Sequence, residues 1–177
     1  MEKFAFILHP LSLQDMEHLS PLMRYIPDPI IEACLKMKKP FKVSHITGIK
    51  SPYAEAEGWF IGCPLTAKQM VELPEEFVMD RIIESGKVAQ ELGAKIVGLG
   101  AFTSIVGDAG ITVAKNLDIA VTSGNSYTVA TAIQGTKQAA RMMGKDLKEC
   151  RAVVVGATGS IGAASVRLLA KEVKHIT

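Results

Sequence analysis

Apolar residues along this chain follow two alternating rhythms. Short runs rich in β-branched, aromatic or small apolar residues, at 3–8, 41–49, 58–63, 95–100, 119–122 and 152–155, have the length and composition of strands. Between several of them the spacing turns helical. Over 75–92 the residues Val78, Ile82, Ser85, Ala89 and Leu92 share one face, which is expected to lie on a sheet, and Gly93 marks the stop. Over 126–143 the residues Val129, Ala132, Ile133, Thr136, Ala140 and Met143 share another, closed by Gly144. Residues 13–36 predict helical pieces broken by Pro21, Pro27 and Pro29, because a proline inside a helix removes a hydrogen bond. Ser51-Pro52 predicts the turn between the second and third strands, and 107–115 a short helix. Strand and helix alternate through the second half, which predicts an α/β fold with a mainly parallel sheet rather than a bundle or a sandwich.

The most informative run is Arg151-Ala-Val-Val-Val-Gly-Ala-Thr-Gly-Ser-Ile-Gly162, read as a buried strand feeding a glycine turn and then a helix. That order opens a dinucleotide-binding fold. Gly156 suits the tight turn, Gly159 lets backbone approach a pyrophosphate, and Gly162 permits close packing of helix on strand, while the helix N-terminus offers free N–H groups. The expected cradle is therefore Gly156, Ala157, Thr158, Gly159, Ser160, Ile161 and Gly162. Glycines also punctuate ordinary turns, so a βα turn without ligand is the competing reading. Residues 163–170 continue the helix and 173–177 begin a second strand, near whose end the residue that chooses between NAD and NADP is expected. The chain ends there, so both cofactors stay open at this point.

These elements predict three segments. Residues 1–123 form a substrate-side α/β domain, 124–150 a bridging helix and linker, and 151–177 the first βα unit of an incomplete NAD(P)-binding Rossmann domain. One strand and one helix cannot cover both faces of a parallel sheet, so the tail from Arg151 is expected to be loosely anchored or to associate with another copy of the chain.

Composition narrows the class further. With 177 residues, 48% apolar and 21% charged, the chain can bury a sizeable core as a soluble globular protein. A formal net charge of +2 gives no electrostatic case for nucleic acid. No apolar run approaches the roughly eighteen residues of a membrane span, and Phe4-Ala-Phe-Ile-Leu8 lacks the flanks of a signal peptide. A cytoplasmic protein is expected. Cys34, Cys63 and Cys150 are odd in number and far apart, and His9, His18, His45 and His175 are equally scattered, which fits neither a disulfide framework nor a metal site.

Two further strand exits carry polar groups. In Thr122-Ser-Gly-Asn-Ser-Tyr-Thr128, Asn125 or Ser126 is suited to cap the following helix. The carboxyl end of a strand is also where open α/β sheets place ligands, so Ser123, Gly124 and Asn125 are candidate substrate contacts as well. In the turn through Phe102, Thr103 and Ser104, the two hydroxyls are suited to hold a carbonyl or phosphate oxygen, or simply to satisfy backbone. Ser104 lacks the flanking glycines of a nucleophile elbow. The lysines Lys36, Lys38, Lys39 and Lys42, and the group Lys137, Arg141, Lys145 and Lys148, read as solvated clusters or as a docking surface for an acidic partner.

Taken together, Leu99-Gly-Ala-Phe-Thr-Ser-Ile-Val106, Thr122-Ser-Gly-Asn-Ser-Tyr-Thr128 and Val155-Gly-Ala-Thr-Gly-Ser-Ile-Gly162 resemble the fatty-aldehyde-forming acyl-[acyl-carrier-protein] reductases of cyanobacteria and their bacterial relatives often labelled shikimate or amino-acid dehydrogenases. Weaker agreement reaches Ile46-Thr-Gly48 and the first strand with His9. The proline-rich region and Trp59-Phe-Ile-Gly-Cys-Pro64 depart from the pattern. The resemblance implies NADPH-dependent reduction of a fatty acyl thioester, delivered on acyl carrier protein, to an aldehyde through an acyl-cysteine. It places the nucleophilic cysteine beyond Thr177, so this stretch is expected to be an N-terminal portion, inactive by itself. Two other readings stay open: a shikimate- or amino-acid-dehydrogenase-like oxidoreductase using an acid/base side chain, and a non-catalytic binding or assembly module.

Overall fold

Strict alternation of Ala5 and Ile7 with Phe4, Phe6 and Leu8 makes the first strand two-faced, and the sheet is built around it. In a computed structural model that describes residues 2–16 and 24–177, β1 (Glu2–Leu8) pairs in parallel with β3 (Glu55–Gly62) on one side and β4 (Ile96–Leu99) on the other. β5 (Ala120–Thr122) adds in parallel to β4, and β2 (Phe41–Lys50) runs antiparallel along β3, for the order β2-β3-β1-β4-β5. This is a mixed α/β fold with a mostly parallel central sheet. The described residues divide into two units, Met1–Ser123 and Gly124–Thr177.

In the first unit one face of the sheet is covered along its central strands β1, β3 and β4. Ala5, Ile7, Trp59, Ile61, Val97 and Leu99 are buried there, together with Val78, Ile82 and Ala89 of α3 (Glu75–Glu91). The helical period thus places its apolar stripe on the sheet as predicted, and Gly93 at φ +87° ends the element. Ser85, also in that stripe, donates its hydroxyl to the Arg81 carbonyl at 2.7 Å and so is buried at no cost in unmade bonds. α1 (Asp28–Met37) corrects the expectation that Pro29 interrupts a helix. Pro27 is its N-cap and Pro29 lies in its first turn, where a missing N–H costs nothing. Pro21 and His18 lie outside the described residues. Thr66 caps α2 (Ala67–Glu72) through a reciprocal pair of bonds with Gln69, and the short α4 (Ile111–Lys115) precedes β5.

The opposite face of this sheet is only partly covered, with Phe6, Leu8 and Ile96 each about two-fifths exposed (39%, 38% and 40%). Glycines shape it. A Cβ at Gly98 would stand 2.5 Å from the Phe6 ring, one at Gly58 2.7 Å from the Phe4 ring, and one at Gly62 3.1 Å from Phe41. The rings lie over bare backbone.

The second unit holds α5 (Asn125–Met142), β6 (Arg151–Ala152), α6 (Ser160–Leu169) and β7 (His175–Ile176). β6 and β7 pair in parallel, Arg151 with His175 and Ala152 with Ile176. Further backbone bonds from Val154 N–H to the Thr177 carbonyl and from Thr177 N–H to the Ala152 carbonyl, both 2.9 Å, lengthen the ladder. Val129, Ile133 and Leu169 form its core, with Val154, Ile161, Ala164 and Ile176 packed on them. Two expectations are corrected here. The strand run is not buried, since Val153 is 69% and Val155 94% exposed; a two-stranded sheet has no second layer to cover them. The apolar face of α5 narrows to Val129 and Ile133, while Ala132, Thr136 and Met143 face solvent. Lys137 pairs with Glu172 at 2.5 Å.

Candidate functional site

The backbone constrains the three glycines of the turn differently. Gly156 sits at φ +76°, a left-handed backbone that side chains disfavour. Gly162 is in the first turn of α6, and a Cβ there would collide with the carbonyl of Gly156. The close approach is therefore between the helix and its own turn, where the sequence had suggested helix on strand. Gly159, the N-cap, is open: a Cβ would meet only the Gly156 oxygen at 3.4 Å, an ordinary contact. Its N–H donates to Gly156 and its carbonyl accepts from Ala163 N–H at 2.8 Å, which fixes the turn against the helix.

Between those bonds, the N–H groups of Ser160, Ile161 and Gly162 have no acceptor among the described residues, and none of their side chains caps the helix. Ala157, Thr158, Gly159 and Ser160 are exposed around them. Three free donors at the positive end of a helix dipole, beside a glycine with room in front of it, suit an anionic oxygen.

The other polar turn meets this one. Gly124 at φ +74° is the N-cap of α5, so the expected capping by Asn125 or Ser126 does not occur; Asn125 is already helical. Its side-chain amide instead donates to the Ser160 hydroxyl at 2.8 Å. Ser123, half-buried, closes the first unit. Capping rules alone hide this contact, because they assign the Asn side chain to its own helix.

In the first unit, Thr103 is buried and donates to the Gly100 carbonyl at 2.7 Å, while half-buried Ser104 donates to the Ala101 carbonyl at 2.7 Å. His9 is tied more firmly than the sequence suggests. Phe102 N–H donates to its Nε2 at 3.1 Å, so the proton resides on Nδ1, which donates to the Pro10 carbonyl at 3.0 Å. Burial holds its pKa below the ordinary 6.5, against the opposing pull of that carbonyl and of Asp15. Cys63 is fully buried, which pushes its thiol up to about 11. Cys150 donates to the Asp146 carbonyl at 3.1 Å, and Cys34 is exposed. Among the described residues no three His, Cys, Asp or Glu side chains converge as a metal site would require, and no helix is long and apolar enough to cross a membrane. Of the basic residues singled out, Lys36 and Lys38 rest over the rings of Phe77 and Phe41.

Sequence reasoning missed a cavity of about 620 Å³ between α1 and the carboxyl ends of β1 and β3. Leu8, Ile26, Ile30, Ile31, Leu35, Phe41 and Val43 supply most of its wall, with His9, Asp15, Cys34, Cys63 and Lys38 as the polar contributors. Its position is the end of a parallel sheet where ligands bind. The one available signal was the pair of apolar steps Ile30/Cys34 and Ile31/Leu35 on α1, at helical spacing.

No known family profile matches the chain. It is similar to the aminotransferase PigE of Serratia sp. (strain ATCC 39006), 34% identical over 128 residues that cover 72% of this chain but 14% of that protein. It is also similar to the long-chain acyl-[acyl-carrier-protein] reductase of Synechococcus elongatus, 26% identical over 183 residues that cover 94% of this chain and 51% of the reductase. The second match takes in most of both units. The chain thus spans about half of one relative and a small part of the other, and its likeness to the reductase is distant.

Proposed function

We propose that this chain is part of an oxidoreductase that uses NADPH to reduce a fatty acyl thioester to the aldehyde, with Gly124–Thr177 opening the cofactor domain and Met1–Ser123 on the substrate side. The observation that carries the reading is the first turn of α6, where the N–H groups of Ser160, Ile161 and Gly162 have no acceptor among the described residues, beside a Gly159 whose missing side chain would meet only an ordinary contact. Those donors would hold the pyrophosphate, and Asn125 would keep the Ser160 hydroxyl turned toward α5. The bound nicotinamide would supply hydride. The distant likeness to a reductase named for acyl-carrier-protein substrates supports the choice of reaction and substrate. The nucleophile is not proposed among Cys34, Cys63 and Cys150: Cys63 is sealed in the core with its thiol neutral, and Cys150 is bonded to backbone.

Amide resonances give the test. Titration of the chain with NADPH, followed by nitrogen–proton correlation spectra, should shift the amides of Ser160, Ile161 and Gly162. A Cβ at Gly159 makes only an ordinary contact and the position lies in the second unit, so Gly159→Val should leave the spectrum of the first unit intact and remove those shifts. Absence of any shift at these three amides, or the same shift in Gly159→Val, sinks the reading.

A further inference from the structure

We infer that the cavity between α1 and the sheet binds the hydrocarbon portion of an acyl chain, with the polar end of that chain at Lys38. The inference rests on the proposed function only for the identity of the end group; the preference for hydrocarbon comes from the walls themselves. Ile30 and Ile31 of α1, Leu8 of β1 and Val43 of β2 face one space of about 620 Å³, yet Ile30 is 53% and Val43 49% exposed. Large apolar side chains from separate elements around an open cavity mark a surface that gains by being covered.

The polar groups of the wall are already engaged. Both nitrogens of His9 are bonded, to Pro10 and Phe102. The Asp15 carboxylate accepts the N–H groups of Leu11 at 2.7 Å and Ser12 at 3.0 Å. Cys63 is fully buried behind the surface. A ligand rich in hydroxyls or charges would therefore give up water with nothing in return, whereas each methylene taken from water strengthens binding roughly fourfold.

Lys38 and the exposed thiol of Cys34 are the exceptions. Lys38 caps the carboxyl end of α1, its ammonium lies 4.1 Å from the centre of the Phe41 ring, and it forms no ion pair among the described residues. A carbonyl or carboxylate at the end of an otherwise apolar chain fits that one cation.

Saturated carboxylates from hexanoate to dodecanoate, titrated calorimetrically into the full chain, should bind with affinity rising roughly fourfold per methylene until the cavity is filled. Decanoate should slow the alkylation of Cys34, which is exposed and lines the cavity, and leave Cys150 in the other unit unaffected. Ile30→Trp, a change at a half-exposed position that fills the space, should weaken decanoate about tenfold. Lys38→Gln should weaken decanoate and leave 1-decanol unchanged. Affinity independent of chain length, no protection of Cys34, or undiminished binding in Ile30→Trp overturns the site; undiminished decanoate binding in Lys38→Gln overturns the placement of the polar end. None of these readouts uses NADPH, so the cavity and the glycine turn stand or fall separately.

Discussion

The side-chain amide of Asn125, at the first position of α5, donates to the hydroxyl of Ser160, at the first position of α6, over 2.8 Å. Two polar turns that lie 35 residues apart in the chain are thereby joined at the starts of their helices. The pair is exposed, so its worth is modest. Asn125→Ala and Ser160→Ala should each destabilise the second unit by about 0.5–1 kcal/mol. The double variant should lose little more than either, a coupling that a double-mutant cycle from urea unfolding would reveal. Strictly additive losses would show that the two side chains do not act together.

Two glycines in helices of this unit should respond oppositely to a methyl group. Gly135 lies inside α5 with nothing near its missing Cβ, and Gly135→Ala should stabilise by about 0.5–1 kcal/mol through a less flexible unfolded chain. Gly162→Ala drives its methyl into the Gly156 carbonyl and should destabilise by about 1–3 kcal/mol. Urea midpoints monitored by circular dichroism, with hydrogen exchange across α6, measure both.

His9 links stability to acidity. Its folded pKa is lowered by burial, so the unfolded chain binds the proton more readily and the contribution of His9 is complete above about 6.5, the unfolded value. It is lost as pH falls from there toward the lower folded value, because a protonated Nε2 no longer accepts from Phe102 N–H. Glutamine at this position keeps an acceptor without titrating. Between pH 7.5 and pH 5.5 the urea midpoint of the first unit should fall more in the unaltered protein than in His9→Gln; equal falls would place the acid sensitivity elsewhere.

The three thiols should separate cleanly. Under native conditions at pH 8, iodoacetamide should modify Cys34 first and leave Cys63 untouched, since Cys63 is inaccessible and its thiol is pushed up to about 11. Peptide mass spectrometry follows each site. Labelling of Cys63 before global unfolding would mean that the core over α3 opens locally.

What could be read from the residues depended on how many layers each element touches. The stripe Val78, Ile82, Ser85 and Ala89 was legible because α3 has one wet face and one dry face, so period and burial coincide. Val153 and Val155 were misread as buried because β-branched composition reports strand preference and not whether anything lies over the strand. The glycine turn was legible as a unit, although the role of Gly162 was not: its constraint is a carbonyl of its own turn, a distance no spacing rule encodes. The cavity escaped notice because Leu8, Ile31 and Val43 each look like ordinary core residues until three distant segments are brought together.

The glycines opposite Phe4, Phe6 and Phe41 carry one last consequence. Where side chains stand upright, an element laid on a sheet is held roughly 10 Å from its backbone. Here ring atoms of Phe4, Phe6 and Phe41 fill the space that a Cβ at Gly58, Gly62, Gly98 or Gly100 would take, so the aromatic side chains stand in for side chains those strands lack. A methyl added at Gly62 or Gly98 would have to push a ring aside, whereas one at Gly58 or Gly100 would also run into a backbone carbonyl, that of Phe4 or Ile7, and could be housed only by moving the strand itself.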